Sequence, residues 1–262
     1  MVDTHTHIQF KVFDKIRDQV VANSKKAGIE KIIAVGTDLE SSEKAVEVAE
    51  KYPEVFASVG IHPHHVFGIM KKPSAVSHQL SDLEKLVKNP KVVAVGETGM
   101  DKHVYKITKY PNYLISNEFI ELQKLFFEKQ IKLAVKFKKA LIIHNREAVS
   151  ETLEVLEKNW NKALEQKSVF HMCEPHPDLL DFAIKHKVFI SFGEDITYDL
   201  EKQEFLKKVP LKLLVLETDS PFISREPKDL RELLKFLTGL LKKDAKELED
   251  ITSNNSLSLF KL

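Results

Sequence analysis

Short runs of β-branched and aliphatic residues recur along the chain, and each ends in a polar or glycine cluster. After an opening segment that closes on Asp3-Thr4-His5-Thr6-His7, the runs are 31–37, 55–62, 92–97, 140–144, 168–171, 188–193 and 213–219, eight in all. Continuous apolar runs of this length suit strands buried on both faces, as in a parallel sheet. Between them the period becomes helical. Leu122, Leu125, Phe126, Ile131 and Leu133 mark one such stretch, and Leu230, Leu233, Leu234, Phe236, Leu237 and Leu240 another. Eight strands alternating with helices over 262 residues predict an α/β protein of the (β/α)8 TIM-barrel type. Several glycines, Gly96 and Gly99 among them, fall at strand ends, where the chain must turn sharply or approach a ligand.

The polar residues that close these runs carry the chemistry. His5, His7, His62, Glu97, His144, His171 and Asp219 all stand at the carboxyl ends of predicted strands. In such a barrel those ends share one face, and that face holds the active site. His5 and His7, two apart, project to the same side of their strand. Histidine and carboxylate without thiolate suit Zn, Mn, Fe or Ni, and Mg where oxygen ligands dominate. Seven such groups exceed what one catalytic ion with an open position needs and match two divalent ions bridged by a carboxylate, the arrangement that supports in-line phosphoryl displacement. Glu97, central in chain order, is the expected bridge. Asp219 is expected both to ligate and to take a proton from the attacking water. Cys173, two residues beyond His171, reads as outside the ligand set.

Composition narrows the setting. Forty Lys and Arg against 39 Asp and Glu give a net charge of +1, so the balance advertises neither a bulk nucleic-acid surface nor a membrane surface. One cysteine excludes an internal disulfide and fits a reducing compartment. No signal-peptide pattern and no 18-residue apolar run are present, so a soluble cytoplasmic protein without membrane contact is expected. No linker interrupts the alternation, and residues 1–262 read as one domain; the longest irregular stretch runs from about Lys102 to Asn117.

The strings Asp3-Thr4-His5-Thr6-His7, Gly60-Ile61-His62-Pro63-His64, Gly96-Glu97-Thr98-Gly99-Met100-Asp101, His144-Asn145-Arg146-Glu147-Ala148 and Glu217-Thr218-Asp219-Ser220-Pro221 resemble, in order, the signatures of the TatD family of metal-dependent deoxyribonucleases, within the amidohydrolase-like TIM barrels. Gln123, Phe127 and Gln130 extend the resemblance, as do Thr252, Asn255 and Phe260 at the C-terminal end. It implies that His5, His7, Glu97 and Asp219 hold one ion, that Glu97, His144 and His171 hold the second, and that His62 contacts the scissile phosphate. The implied activity is phosphodiester hydrolysis of nucleic acid, typically from the end of single-stranded DNA and in some members RNA, supported by two divalent ions (Mg, Mn or Zn). Hydrolysis of an ester or amide such as an aminoacyl bond, or a metal-binding scaffold with little turnover, are the alternative readings of the same residues.

Three stretches depart from the family pattern. After His171 the usual aromatic-Ser-Gly-Ser turn is replaced by Met172-Cys173-Glu174-Pro175-His176-Pro177, which adds the negative Glu174 and, at Pro175, removes a backbone donor. After Asp219-Ser220-Pro221-Phe222 the usual longer basic loop is shortened to Ile223-Ser224-Arg225-Glu226-Pro227, leaving Arg225 as the expected phosphate-binding cation. After Asp101 the usual aromatic is replaced by Lys102-His103. These changes predict weakened contacts to long DNA. His64 and His65 read as solvated loop residues, and His78, His103 and His186 as surface or helix residues. Phe67, Tyr105, Tyr110 and Tyr198 are candidate base-stacking aromatics, and the lysines of 132–139 read as a solvated helix end.

Overall fold

The structure, a computed structural model, describes residues 1–70 and 73–262, and the side chains of all of these but 73–76. Strands and helices alternate as the apolar pattern requires: β1 Val2–Thr6, α1 Arg17–Lys26, β2 Lys31–Val35, α2 Leu39–Lys51, β3 Val55–Val59, α3 Pro63–Val66, α4 Pro73–Val87, β4 Val92–Asp101, α5 Asn117–Phe137, β5 Ala140–Arg146, α6 Val149–Asn159, β6 Ser168–Phe170, α7 Pro177–His186, β7 Phe189–Phe192, α8 Leu200–Leu206, β8 Leu214–Leu216, α9 Leu230–Leu241 and α10 Ala245–Phe260. The eight strands pair in parallel in chain order. This is a (β/α)8 barrel.

β1 and β8 close it through few but specific contacts. Thr6 bridges Ser220, the Asp219 amide donates to His5 O at 2.9 Å, and the His7 amide donates to Ser220 O at 2.7 Å. Behind the seam the buried Asp3 carboxyl accepts the Thr218 hydroxyl at 2.6 Å and the Thr218 amide at 3.1 Å. Burial pushes the Asp3 pKa up to about 8.

Alternate strand residues serve two cores. Ile33, Val35, Ala94, Ala140, Ile142, Val169, Phe189 and Val215 form an inner cluster, which Leu259 and Phe260 of α10 join. The other faces of the strands pack against the helices: in α5, Phe119, Phe126, Phe127, Ile131 and Leu133 are buried, whereas Leu125 is exposed. In α9, Leu230, Leu233, Leu234 and Leu237 are buried. Asn255 Nδ2 donates to the carbonyls of Leu211 and Leu214, which fixes α10 at the start of β8.

The strand ends that matter are shaped by bulges. Between Asp3 and Thr6 three steps on β1 oppose two on β2, and between Val95 and Thr98 three on β4 oppose two on β5. An extra residue of this kind re-aims side chains beside active sites. Gly96 (φ 143°) and Gly99 (φ 147°) allow it: a Cβ on Gly99 would stand 1.9 Å from His144 O. β4 therefore runs on to Asp101, four residues past the expected end at Glu97. Two buried glutamines of α5 hold this region. Gln130 accepts the Ile61 amide at 2.8 Å and donates to Thr98 Oγ1 at 2.7 Å, while Gln123 accepts the Asp101 amide and donates to its carbonyl, both at 2.8 Å. Among the described residues no helix is long and apolar enough to cross a membrane.

Candidate metal centre

The strand ends bring all seven expected residues into one cluster at the barrel mouth. Glu97, buried to 3 % exposure, sits at its centre. Its Oε1 lies 2.7 Å from His144 Nδ1 and 3.6 Å from both His62 Nε2 and His171 Nε2, and its Oε2 lies 3.5 Å from His5 Nε2. Asp219 Oδ1 stands 3.3 Å from His7 Nε2 and 3.9 Å from His5 Nε2. His5, His7 and Glu97 form one group of potential ligand atoms within 4.8 Å of one another, and Glu97, His144 and His171 form another.

The donor set fits a divalent cation. Both nitrogens of His5, which has no solvent exposure, lack a hydrogen-bond partner, and so does Asp219 Oδ1. Unpartnered buried polar atoms are costly, and a cation between His5 Nε2 and Asp219 Oδ1, 3.9 Å apart, would supply the missing partner of both. His7 Nδ1 donates to Val35 O at 2.8 Å, which leaves the Nε2 lone pair facing Asp219 and the cleft. The His5 and His171 rings stack at 3.6 Å between centroids, so two imidazoles enter the centre side by side.

Further carboxylates stand behind the histidines. Asp101 Oδ2 accepts from His144 Nε2 at 3.0 Å and from Tyr105 OH at 2.7 Å. Glu217 Oε1 stands 3.0 Å from His171 Nδ1, an ion-pair contact more than an aligned hydrogen bond, and accepts from Ser191 Oγ at 2.6 Å and the Met172 amide at 2.7 Å. Carboxylates placed this way orient imidazole ligands and raise their basicity. Burial alone would lower the His144 pKa, but its bonds to Asp101 and Glu97 outweigh that and lift it to about 10. Burial likewise opposes the charge of His171, and Glu217 and Glu97 lift it to about 9. Burial, aided by the neighbouring His171, lowers the His5 pKa instead.

A metal must therefore displace protons from His144 and His171. Loading of chelated protein at pH 7.5 is expected to release about two protons per chain, and apparent affinity to rise steeply from pH 6 to 9. Calorimetry in buffers of different ionisation enthalpy reads this directly; release near zero would remove both histidines from the ligand set. The sign for the metal-free fold is the reverse. Raised histidine pKa values contribute stability that is complete below the ordinary value near 6.5 and lost as pH rises through 9 to 10, so its melting temperature should fall over that upper range.

His62 differs from these ligand-like histidines. Its Nδ1 accepts the His64 amide at 3.0 Å, so the neutral ring carries its proton on Nε2 and presents a donor to the cleft. Burial and the neighbouring His144 hold its pKa well below the usual value.

The cleft, about 380 Å³, is lined by His7, His62, Glu97, His144, His171 and Asp219 together with Phe10, Thr37, His64, Tyr105, Ile107, Arg146, Phe222 and Ile223, and His5 lies buried beneath it. The profile of TatD-related DNases matches residues 2–261. The chain belongs to the TatD-related DNase family. The uncharacterized metal-dependent hydrolase YabD of Bacillus subtilis is 28% identical over 272 residues, which cover 100% of this chain and 99% of that protein. The protein named 3'-5' ssDNA/RNA exonuclease TatD of Edwardsiella piscicida is 29% identical over 278 residues and 100% of both chains. The crystal structure of YjjV, a TatD homologue from Escherichia coli, superposes with a TM-score of 0.83 at 26% identity, over 100% of this chain and 98% of that one. This TatD-family member is a metal-dependent hydrolase.

The family motifs also carry residues to which the sequence reading gave no role. Asp101, Arg146 and Glu217 lie inside them, and all three touch a site histidine or line the cleft. Other expectations fall differently. Arg225 is exposed and lies outside the cleft lining, because the Glu226 and Asp229 capping box draws its loop into the turn before α9; Asp229 Oδ2 accepts the Arg225 amide. Glu174 does not line the cleft either: its carboxylate accepts from Asn145 Nδ2 and, at 2.9 Å, from the Glu147 amide, so it ties the loop after β6 to that after β5. His64 and His65 are half-buried on α3, held through Thr108 Oγ1 at 2.8 Å and Tyr110 OH at 2.9 Å, and His64 lines the cleft. Cys173 is buried and belongs to none of the ligand groups. Of the stacking candidates, Tyr105 lines the cleft, whereas Phe67 is buried and Tyr198 is exposed away from it. Lys139 donates to Val92 O at the start of β4, which puts the 132–139 lysines at the opposite end of the barrel.

Proposed function

We propose that this chain is a nuclease that hydrolyses phosphodiester bonds of DNA, and of RNA in single strands, from a strand end, with two divalent ions (Mg, Mn or Zn). One observation carries the reading: a single carboxylate, Glu97, meets His5 on one side and His144 and His171 on the other. His5, His7, Glu97 and Asp219 would hold the first ion, and Glu97, His144 and His171 the second. When bound, the ions activate a water and neutralise charge on the phosphoryl oxygens. Asp219, buried and three residues past the end of β8, would take the proton of that water. His62 Nε2 donates a hydrogen bond to a non-bridging oxygen of the scissile phosphate. Asp101 and Glu217 hold His144 and His171 in place. Phe222, 64 % exposed and edge-on to His7 at 5.2 Å, with Phe10 stacked on the same imidazole, offers an apolar wall for the terminal base. A cleft of about 380 Å³ accepts one nucleotide unit more readily than a base-paired end. The match over residues 2–261 supports reading the chain as one catalytic domain.

Turnover of end-labelled single strands with Mg, Mn and Zn, beside aminoacyl and small ester substrates, tests the proposal. The expected result is a ladder that grows from one end and vanishes with chelator. Ester cleavage without phosphodiester cleavage would select the carbon-centred hydrolase, and metal binding without turnover on any substrate the scaffold.

A further inference from the structure

A strand end carries phosphates beyond the one being cut, and a site that reads a strand needs a fixed cation for one of them. Among the described residues that line the cleft, Arg146 is the sole lysine or arginine. It closes β5 two residues beyond His144. The two side chains therefore share a face, and their Cα atoms are separated by about 6.6 Å at 3.3 Å per residue, a step comparable to that between successive phosphates of an extended strand.

The surroundings leave this guanidinium free for an anion. It packs over the Tyr105 ring at 5.3 Å from the centroid, and Nη1 donates to Tyr105 OH at 3.4 Å. Tyr105 OH is itself fixed on Asp101. The nearby carboxylates are engaged elsewhere: Glu147 by His103 Nδ1 at 2.6 Å, Glu174 by Asn145 and the Glu147 amide, Asp101 by His144 and Tyr105. Arg146 forms no ion pair among the described residues. Of the lysines in the adjoining loop, Lys102 is paired with Glu151 at 2.7 Å and Lys109 with Asp38 at 3.2 Å, while Lys106 is exposed and lies outside the cleft lining. An arginine held on an aromatic platform by one long hydrogen bond, with its other guanidinium donors unpaired among the described residues, is built for bidentate recognition of phosphate.

We propose that Arg146 binds the phosphate next to the scissile one, on the His144 side of the centre, and so makes the site select strands over isolated phosphodiesters. The inference rests on the nuclease reading above. The test compares wild type, Arg146→Ala and Arg146→Lys on bis(p-nitrophenyl) phosphate, on a trinucleotide, and on two trinucleotides with one phosphate each replaced by a neutral methylphosphonate. Arg146→Ala should lower kcat/KM on the trinucleotide by about 10- to 100-fold and change hydrolysis of the single ester less than about threefold. Arg146→Lys should recover part of the loss, since it returns the charge without the fork. With the neighbouring phosphate neutralised, wild type should fall to the level of Arg146→Ala, and the variant should lose nothing more. Binding of a labelled strand to chelated protein gives a second readout: the slope of log Kobs against log salt should fall by about 0.7 in the variant.

Equal losses on the single ester and the trinucleotide would place Arg146 on the scissile phosphate or in the fold and overturn the inference. An unchanged trinucleotide rate with an unchanged salt slope would overturn it as well, while leaving the nuclease reading intact. A wild-type enzyme that cleaves no phosphodiester in any metal would remove the nuclease reading, and the inference with it.

Discussion

Asp219→Asn is expected to fold, to keep most of its metal and to lose about 10²- to 10⁴-fold in turnover, the usual scale for removing a general base. The geometry separates these three outcomes. Asp219 has a left-handed backbone, φ 47°, held by its amide on His5 O and by its carbonyl, which accepts the Phe222 amide at 2.8 Å. Asparagine tolerates that conformation as well as aspartate does, so the seam between β1 and β8 is not disturbed. The amide oxygen still faces His5 and His7 and still ligates. It cannot accept the proton of the attacking water. Burial works against the charged form of Asp219, but the His7 contact and the charge of His171 outweigh it and keep the carboxyl ionised below its ordinary range. The base is therefore in its working form at neutral pH. The measurement is kcat at saturating Mn beside metal content and circular dichroism. The competing role, a carboxylate that only ends β8 ahead of Pro221, gives near-normal kcat with a modest loss of melting temperature.

The barrel was legible because buried parallel strands are continuous apolar runs, and because the residue that follows each run is polar only where it faces the mouth. His5, His144 and His171 were read from that rule, and the structure gathers them around Glu97. What escaped depends on contacts between segments far apart in sequence. Gly96 to Asp101 has neither strand composition nor alternation, so β4 was cut short at Glu97. The continuation is set by two glycines with positive φ and by Gln123 from α5. Once β4 reaches Asp101, that carboxylate meets His144, 43 residues on. Neighbouring histidines on a loop are ordinarily solvated, which is the expectation for His64 and His65; the partners that hold them, Thr108 and Tyr110, come from a segment about 45 residues away. Arg225 is expected from its place in the shortened loop where the family carries basic residues, and Arg146 has no role in that expectation. The capping box at Glu226 and Asp229, which takes Arg225 away from the cleft, lacks the usual Ser/Thr-x-x-Glu/Gln pattern and shows only in the structure.

Glu97→Gln should produce a different failure from Asp219→Asn, and a larger one. Glu97 is the negative charge shared by His5, His62, His144 and His171, all within 3.6 Å of its oxygens. Burial opposes its ionisation, yet the neighbouring imidazoles, His171 foremost, hold the carboxyl well below its usual range. Glutamine keeps the volume and one acceptor oxygen but leaves those imidazoles around a neutral group. Under the two-ion proposal both half-sites lose their common anion, so the variant should lose both ions together on dialysis, and turnover should fall by at least about 10³-fold at matched free metal. His144→Ala, which removes a ligand from one side alone, should lose one ion and keep the other. The metal-free Glu97→Gln protein should also melt below metal-free wild type at pH 7, because His144 and His171, protonated there in the wild type, lose a partner carboxylate. Metal analysis after dialysis and calorimetric titration distinguish the cases. A Glu97→Gln protein that binds one ion with wild-type affinity would show that Glu97 serves a single half-site, and the centre would then have to be redrawn around His7 and Asp219 on one side or His144 and His171 on the other.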